Sequence, residues 1–126
     1  MRDDSQVGAL GEQLPRFVEL DAIELHHGAG CHNCNDTGYV GRLGAYELLV
    51  TNDEIRSMLM QGESTAALKR TARIYGMASM RDDAWRKALN GITTVEEVNR
   101  STRLDEPLNE EELKKMAEAQ LAAATA

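Results

Sequence analysis

Two cysteines in a glycine-flanked turn are the residues of this chain best suited to chemistry. Cys31 and Cys34 lie two residues apart in the stretch Gly-Cys-His-Asn-Cys-Asn-Asp-Thr-Gly. This spacing lets two thiolates reach one tetrahedral zinc ion while backbone amides donate to the sulfurs, and a structural zinc takes four ligands. The pair therefore supplies half a site. Among the histidines, His27 has a workable separation from Cys31, His26 is a second candidate, and His32 is expected to point away from the metal.

Three interpretations of the cysteine pair stay open at this stage. It is a local zinc site completed by histidine, a knuckle that keeps its shape without metal, or a redox pair. Redox chemistry of the thioredoxin kind needs the first cysteine at a helix amino end, whereas residues 35–38 continue as turn. The redox interpretation is disfavoured, and the missing ligands favour the metal-free knuckle. Zinc is the cofactor to test, at an incomplete site.

Arg42 and Glu47 are the charged residues of the glycine-rich segment that follows. One interpretation is that they are exposed or paired with each other, as surface charges commonly are. The other is that Arg42 contacts phosphate or an acidic partner surface. Trp85, the single tryptophan, is predicted to be a core or interface anchor rather than a ligand-stacking residue.

Length and composition limit the classes of protein to consider. The 126 residues are 42% apolar and only 4% aromatic, which predicts one small domain whose core is aliphatic and mainly α-helical. A formal charge of −7 disfavours nucleic acid and anionic lipid as partners. No apolar run approaches the roughly 20 residues of a membrane span, and the amino end lacks a signal-peptide pattern. A cytoplasmic location without a direct membrane span is therefore expected.

Nucleotide hydrolysis by this chain alone is also disfavoured. A phosphate-binding P-loop ends in Gly-Lys-Ser/Thr, because its lysine reaches the outer phosphates. None of the four lysines follows a glycine; they are Lys69, Lys87, Lys114 and Lys115.

The chain divides into four segments by pattern. Residues 1–29 form an amino-terminal remnant or linker, and residues 30–50 form the knuckle and one or two strands. The apolar run Leu48-Leu49-Val50 is typical of a strand buried on both faces. Residues 51–104 form a bundle of four short helices, and residues 105–126 form a last helix with a frayed tail. The predicted helix caps are Thr51 with Glu54, Ser64 or Thr65, Ser79, Thr94 with Glu97, and Asn109 with Glu112. The predicted helix stops are Gly62, Gly76 and Gly91. The second helix is predicted to bury Ala67, Leu68, Thr71 and Tyr75.

Several segments in order resemble one known family. Residues 30–49 are similar to the GCxxCxxTGYxGRxGxYELL signature of the type II secretion and type IV pilus assembly ATPases, and include Gly38, Tyr39, Gly41, Arg42 and Glu47. Residues 52–56, 75–83 and 91–98 are similar to later segments of that family, the last as Gly-Ile-Thr-Thr-Val-Glu-Glu-Val. Ordered matches over about 30 to 102 are far more specific than one CxxC pair.

The resemblance implies the carboxyl-terminal helical bundle and half zinc knuckle of a RecA-like secretion ATPase, without its core. Full-length members hydrolyse ATP with magnesium in that core, and they bind zinc through two CxxC pairs. Cys31 and Cys34 match the second pair. The implied partners are subunits of a hexameric motor or its inner-membrane platform protein, which would hold the chain at the inner membrane from the cytoplasmic side.

Two functions follow as alternatives. The chain contributes subunit or partner contacts to a secretion or pilus motor, as a natural short protein or a piece of a longer one, and leaves hydrolysis to the missing core. Otherwise it is a free-standing helical adaptor that presents a zinc knuckle and has no motor role.

Overall fold

A computed structural model describes residues 23–125, which fall into two compact units. Unit 1 comprises residues 23–46 and 80–104, and unit 2 comprises residues 47–79 and 105–125. The units interleave along the chain, whereas the predicted segments were consecutive. Most of the predicted remnant 1–29 lies outside the described residues. The mainly α prediction is confirmed by five helices, α1 Asp53–Met60, α2 Thr65–Ile74, α3 Met80–Leu89, α4 Val95–Ser101 and α5 Glu110–Ala124, with a 3-10 turn at His32–Cys34.

Local capping chemistry explains most of the helix ends. The side chains of Ser64, Thr94 and Asn109 accept backbone N–H groups at the starts of α2, α4 and α5, as predicted. The predicted cap of α1 is wrong by one residue, because Asn52 rather than Thr51 accepts the N–H of Ile55, at 2.8 Å. An amide oxygen is at least as good a cap as a threonine hydroxyl. The three predicted stops, Gly62, Gly76 and Gly91, all have positive φ angles just after their helices.

The predicted strands are not formed. Residues 23–125 contain no strand, and residues 43–50 belong to no helix, strand or turn. The prediction that Leu48, Leu49 and Val50 are buried on both faces is wrong, since all three are exposed. A strand needs a neighbouring backbone to accept and donate its ladder bonds. Residue type alone does not supply that neighbour.

Unit 1 is built around the tryptophan, which confirms its predicted core role. Trp85 is 1% exposed and packs with Ala84, Ala88 and Val98. Arg81 is also buried, and its two terminal nitrogens donate to Thr102 Oγ1 at 2.9 Å and Asn99 Oδ1 at 2.7 Å. Burial of a guanidinium is tolerated only with hydrogen bonds of this kind. These bonds link α3 to the end of α4, so they fix the pair of helices that faces the glycine-rich segment.

Unit 2 has a small aliphatic core surrounded by ion pairs. Its buried apolar residues are Ile55 on α1 and Ala72 and Ile74 on α2. Helix α2 packs against both α1 and α5. Around this core, the charged residues of α2 pair with acids before it, after it and on α5; the ion pairs are Lys69 with Glu47 and Asp105, and Arg70 with Glu106 and Glu112.

Candidate metal knuckle

The cysteine turn of unit 1 is closed by its own backbone. The carbonyl of Cys31 accepts the N–H groups of Cys34 at 3.2 Å and Asp36 at 2.9 Å. Asn35 and Asp36 have φ angles of 51° and 61°, a left-handed conformation that asparagine and aspartate tolerate better than most residues. The residue types directly after Cys34 therefore suit a tight turn of the backbone.

Both sulfurs face the same small region. Cys31 Sγ and Cys34 Sγ lie 3.6 Å apart. Cys34 Sγ also accepts the backbone N–H groups of Cys31, at 3.1 Å, and Gly38, at 3.3 Å. Cys34 is buried while Cys31 is exposed. The turn thus holds two thiols side by side and aims backbone donors at the inner one.

These backbone donors lower the pKa of the Cys34 thiol. The N–H of Gly38 is the largest influence on its pKa; burial opposes it, and the N–H of Cys31 supports it. Together they lower the pKa of Cys34 from 9.0 to about 7. A thiolate is the form that binds metals and reacts as a nucleophile. The inner sulfur is therefore prepared for metal binding near neutral pH.

Two glycines that are distant in sequence allow the turn to close. The backbones of Gly28 and Gly38 touch, and a Cβ atom built on Gly28 would overlap the backbone of Gly38. Gly38 itself has a φ of 79°. Gly38 was among the predicted motif residues, whereas Gly28 was missed as a functional position. Its only sequence signal was that glycines precede the cysteines as well as follow them.

The sulfur pair fits half of a zinc site. In a tetrahedral site with Zn–S bonds of about 2.3 Å, neighbouring sulfurs are about 3.8 Å apart, close to the 3.6 Å between Cys31 and Cys34. Within residues 23–125, no group of three or more histidine, cysteine or acidic side chains is placed to hold a metal. His27 is exposed, and its Nδ1 lies 3.3 Å from the carbonyl oxygen of Gly28. Zinc at Cys31 and Cys34 stays a prediction.

The remaining motif residues anchor the glycine-rich segment to unit 1. The hydroxyls of Tyr39 and Thr94 are hydrogen-bonded at 2.5 Å. The N–H of Tyr46 donates to Asp83 at 2.9 Å, and Lys87 lies 5.1 Å from the centroid of the Tyr46 ring. Gly41, with a φ of 73°, lies beside open space at the bend of the segment. The segment is thus attached to α3 and α4 through polar side chains that its motif did not include.

The predicted pairing of Arg42 with Glu47 is not observed. Glu47 forms its ion pair with Lys69 in unit 2, at 3.1 Å. Arg42 is exposed, which the first interpretation also allowed, and it lines an open groove of unit 1 between residues 37–45 and helices α3 and α4. No ion pair of Arg42 is found with any residue of 23–125. This guanidinium is available to an anionic group.

Comparison with known proteins decides the family. The family model described as Type II/IV secretion system protein matches residues 4–100. The chain belongs to this family. The matched range includes the knuckle, the glycine-rich segment and helices α1 to α3, and it ends inside α4. Helix α5 lies beyond it.

Relatives of the secretion family carry the same segment within much longer chains. The Type II secretion system protein HxcR of Pseudomonas aeruginosa is 50% identical over 103 residues, which are 79% of this chain and 22% of that protein. The Type IV pilus assembly ATPase PilB of Thermus thermophilus is 48% identical over 81 residues, 64% of this chain and 9% of that protein. The chain therefore spans less than a quarter of these relatives. The matches do not confirm the predicted placement at their carboxyl-terminal end.

No helix among residues 23–125 is long and apolar enough to cross a bilayer.

Proposed function

We propose that this chain is a contact-making part of a secretion or pilus-assembly motor, and that it binds the nucleotide-hydrolysing part of that motor without hydrolysing ATP itself. Its membership of the secretion family and the printed names of PilB and HxcR support the setting. The proposal also takes zinc as the ion of the knuckle. It places the chain in the cytoplasm, next to the inner membrane, through motor subunits or a platform protein.

The observation that supports this proposal most directly is a run of exposed apolar residues in unit 2. Leu48 is 77% exposed and Val50 is 73% exposed, although both are of the residue types that proteins usually bury. Leu49, between them, is 40% exposed. Neighbouring apolar residues that remain in water mark a surface that another chain covers. We name residues 48–50 the apolar run.

The backbone of the apolar run indicates how it binds. Residues 43–50 belong to no helix or strand and have no ladder partner within residues 23–125. A segment whose backbone is free in this way can become a strand at an open sheet edge, where main-chain hydrogen bonds give affinity and alternate side chains give specificity. Leu48 and Val50 project to one side of such a strand and Leu49 to the other. The partner surface is therefore a sheet edge with apolar contacts on both faces.

The two residues directly before the apolar run are each held by a side chain of their own unit. In unit 1, the segment ends at Tyr46, whose N–H is fixed by Asp83. In unit 2, Glu47 is fixed by Lys69. Anchored residues directly before the apolar run reduce the conformational freedom that binding must remove. This favours a binding surface over three apolar residues that are exposed without a role.

Binding to a relative that lacks its own copy of the segment tests the proposal. We would remove the matched segment from HxcR, verify nucleotide binding by the remainder, and measure its affinity for this chain by calorimetry. Saturable binding is expected, with a loss of at least tenfold for Leu48→Ser combined with Val50→Ser. The matched control is Leu121→Ser on α5, which removes a leucine of similar exposure, 68%, outside the apolar run.

Three outcomes would count against the proposal. Equal binding by the Leu48→Ser, Val50→Ser variant would show that another surface makes the contact. ATP hydrolysis by the purified chain, retained after the double substitution, would show that it carries catalytic machinery of its own. Absence of any binding to HxcR would leave the free-standing adaptor as the better account.

A further inference from the structure

Helix α2 carries two arginines whose partners come from far along the chain. The Arg70 guanidinium donates to both carboxylate oxygens of Glu112, at 3.1 and 2.7 Å, and to Glu106 Oε2 at 3.1 Å. Arg73 donates to the backbone carbonyl oxygen of Glu106 at 2.7 Å. Arg70 and Arg73 are three residues apart, which places them on one face of the helix. We name these two residues the arginine face of α2.

The residues that cover the arginine face lie outside the part of the chain that the family model matches. The match spans residues 4–100, which include α2 but neither Glu106 nor Glu112. The matched range therefore contains the arginine face without its cover. The covering segment, residues 105–112, reads DEPLNEEE and has five acidic side chains and no basic one. The structure thus shows that an acidic segment fits this surface.

We propose that the arginine face of α2 is a docking surface for an acidic segment of another protein, and that residues 106–112 of this chain occupy it as a built-in competitor. The partner segment carries carboxylates for both Arg70 and Arg73. Arginine suits this role because its planar guanidinium meets a carboxylate through two parallel hydrogen bonds. The inference rests on membership of the family and not on the proposed motor role.

The built-in segment is attached in a way that permits exchange. Helix α5 has no fully buried side chain, so it loses little apolar burial when it leaves α2. Glu106 is 69% exposed and Arg70 is 31% exposed, and ion pairs this accessible to water contribute little to stability. Asp105, in contrast, is 14% exposed and is bound by both Ser79 and Lys69. Asp105 is therefore the fixed end from which residues 106–112 can detach.

An external segment can offer the arginine face more than the built-in segment does. Arg73 receives only a backbone carbonyl from Glu106, and no ion pair of Arg73 is found among residues 23–125. A carboxylate in place of that carbonyl adds the attraction between two full charges. This gain offsets the high effective concentration that a competitor on the same chain enjoys.

Peptide binding to the full chain tests the docking surface. The probe is a fluorescently labelled synthetic peptide of residues 103–126, and binding is followed by anisotropy. Glu106→Gln combined with Glu112→Gln weakens the built-in segment, so it should raise the affinity for the peptide at least tenfold over the unmodified chain. Arg70→Gln in that background should remove the gain. Arg56→Gln is the matched control and should keep the gain, since Arg56 is an exposed arginine of unit 2 that pairs within α1.

Charge reversal gives a second test that does not need the double glutamine variant to fold. Arg70→Glu repels the built-in segment and should abolish binding of the unmodified peptide, whereas a peptide that carries Glu112→Arg should bind to it. A merely structural role of Arg70 would not produce this rescue. Arg73→Gln should weaken peptide binding less than Arg70→Gln, because the peptide offers Arg73 only a carbonyl. Hydrogen exchange of α1 and α2 verifies that unit 2 stays folded in each variant.

Four results would overturn the proposal. The first is an unchanged peptide affinity in the Glu106→Gln, Glu112→Gln variant, and the second is binding that survives Arg70→Gln. The third is equal binding of a scrambled peptide of the same composition, which would reduce the arginine face to unspecific charge attraction. The fourth is a dimer of the unmodified chain that Arg70→Glu abolishes, which would assign the face to a second copy.

Discussion

Units 1 and 2 are both helical and both contain ion pairs, such as Lys87 with Asp83 in unit 1, but their buried cores differ. Unit 1 surrounds one large buried side chain, Trp85, with small residues. Unit 2 buries Ile55, Ala72 and Ile74 and surrounds them with ion pairs from Lys69 and Arg70. Apolar burial tolerates changes in salt and pH, whereas partly exposed ion pairs do not. The two units should therefore respond differently to substitution and to solvent.

The largest expected effect is on unit 1. Trp85→Ala should destabilise the chain by about 3–5 kcal/mol, because a fully buried aromatic side chain leaves a cavity. Urea denaturation followed by circular dichroism measures the change. Trp85→Phe is the matched variant, and its cost should be clearly smaller because Trp85 Nε1 has no hydrogen-bond partner within residues 23–125. Equal costs for the two variants would show that volume is not what unit 1 depends on.

The next effect concerns the start of α5 in unit 2. Asn109 accepts the N–H of Glu112 at 2.9 Å, and Glu112 accepts the N–H of Asn109 at 2.8 Å. Asn109→Ala should cost about 1 kcal/mol, the usual value for loss of a cap. Glu111→Ala, in the same turn, is the control and should have little effect. A null result for Asn109→Ala in thermal unfolding would mean that α5 is held by packing alone.

The smallest effect is on the pH dependence of unit 2. Burial by itself would raise the pKa of Asp105, but the Ser79 hydroxyl and the Lys69 ammonium, 3.1 Å away, hold it below the usual value. A lowered carboxyl pKa stabilises the fold above its unfolded value of about 4, and this stabilisation is lost as the pH falls through the folded pKa. Asp105→Asn should remove up to about 1 kcal/mol at neutral pH.

The same experiment has an internal control. Asp53 pairs with Arg56 at 3.3 Å but is fully exposed, so Asp53→Asn should leave the pH profile of thermal stability almost unchanged. A flatter acid limb in Asp105→Asn and not in Asp53→Asn supports the ion-pair account of unit 2. Identical profiles for Asp105→Asn and the unmodified chain would contradict it.

Patterns confined to one turn of chain predicted the structure best. The caps at Ser64, Thr94 and Asn109 and the stop at Gly91 needed only neighbouring residues, and all are confirmed. The predicted inward face of α2 was less accurate. Ala72 and Ile74 are buried, whereas Tyr75 is exposed and its hydroxyl donates to Glu54. Which face a short helix buries depends on the elements that pack on it, and these are distant in sequence.

Long-range partners explain what the sequence could not show. The contact of Gly28 with Gly38 and the pairing of Glu47 with Lys69 join residues that no local pattern relates. The strand predicted at residues 48–50 failed for the same reason, because the neighbour that would complete a ladder is not within residues 23–125. The cysteine pair itself was predictable, since its geometry is set within one turn.

Hydrogen exchange of the apolar run tests most directly whether residues 48–50 are the contact surface of this secretion-family chain. Their amides lack ladder partners, so they should exchange quickly in the free chain. On addition of HxcR without its matched segment, we expect strong protection of residues 48–50 and none of α5 beyond Leu121. Saturated binding with the amides of residues 48–50 still unprotected would contradict the account.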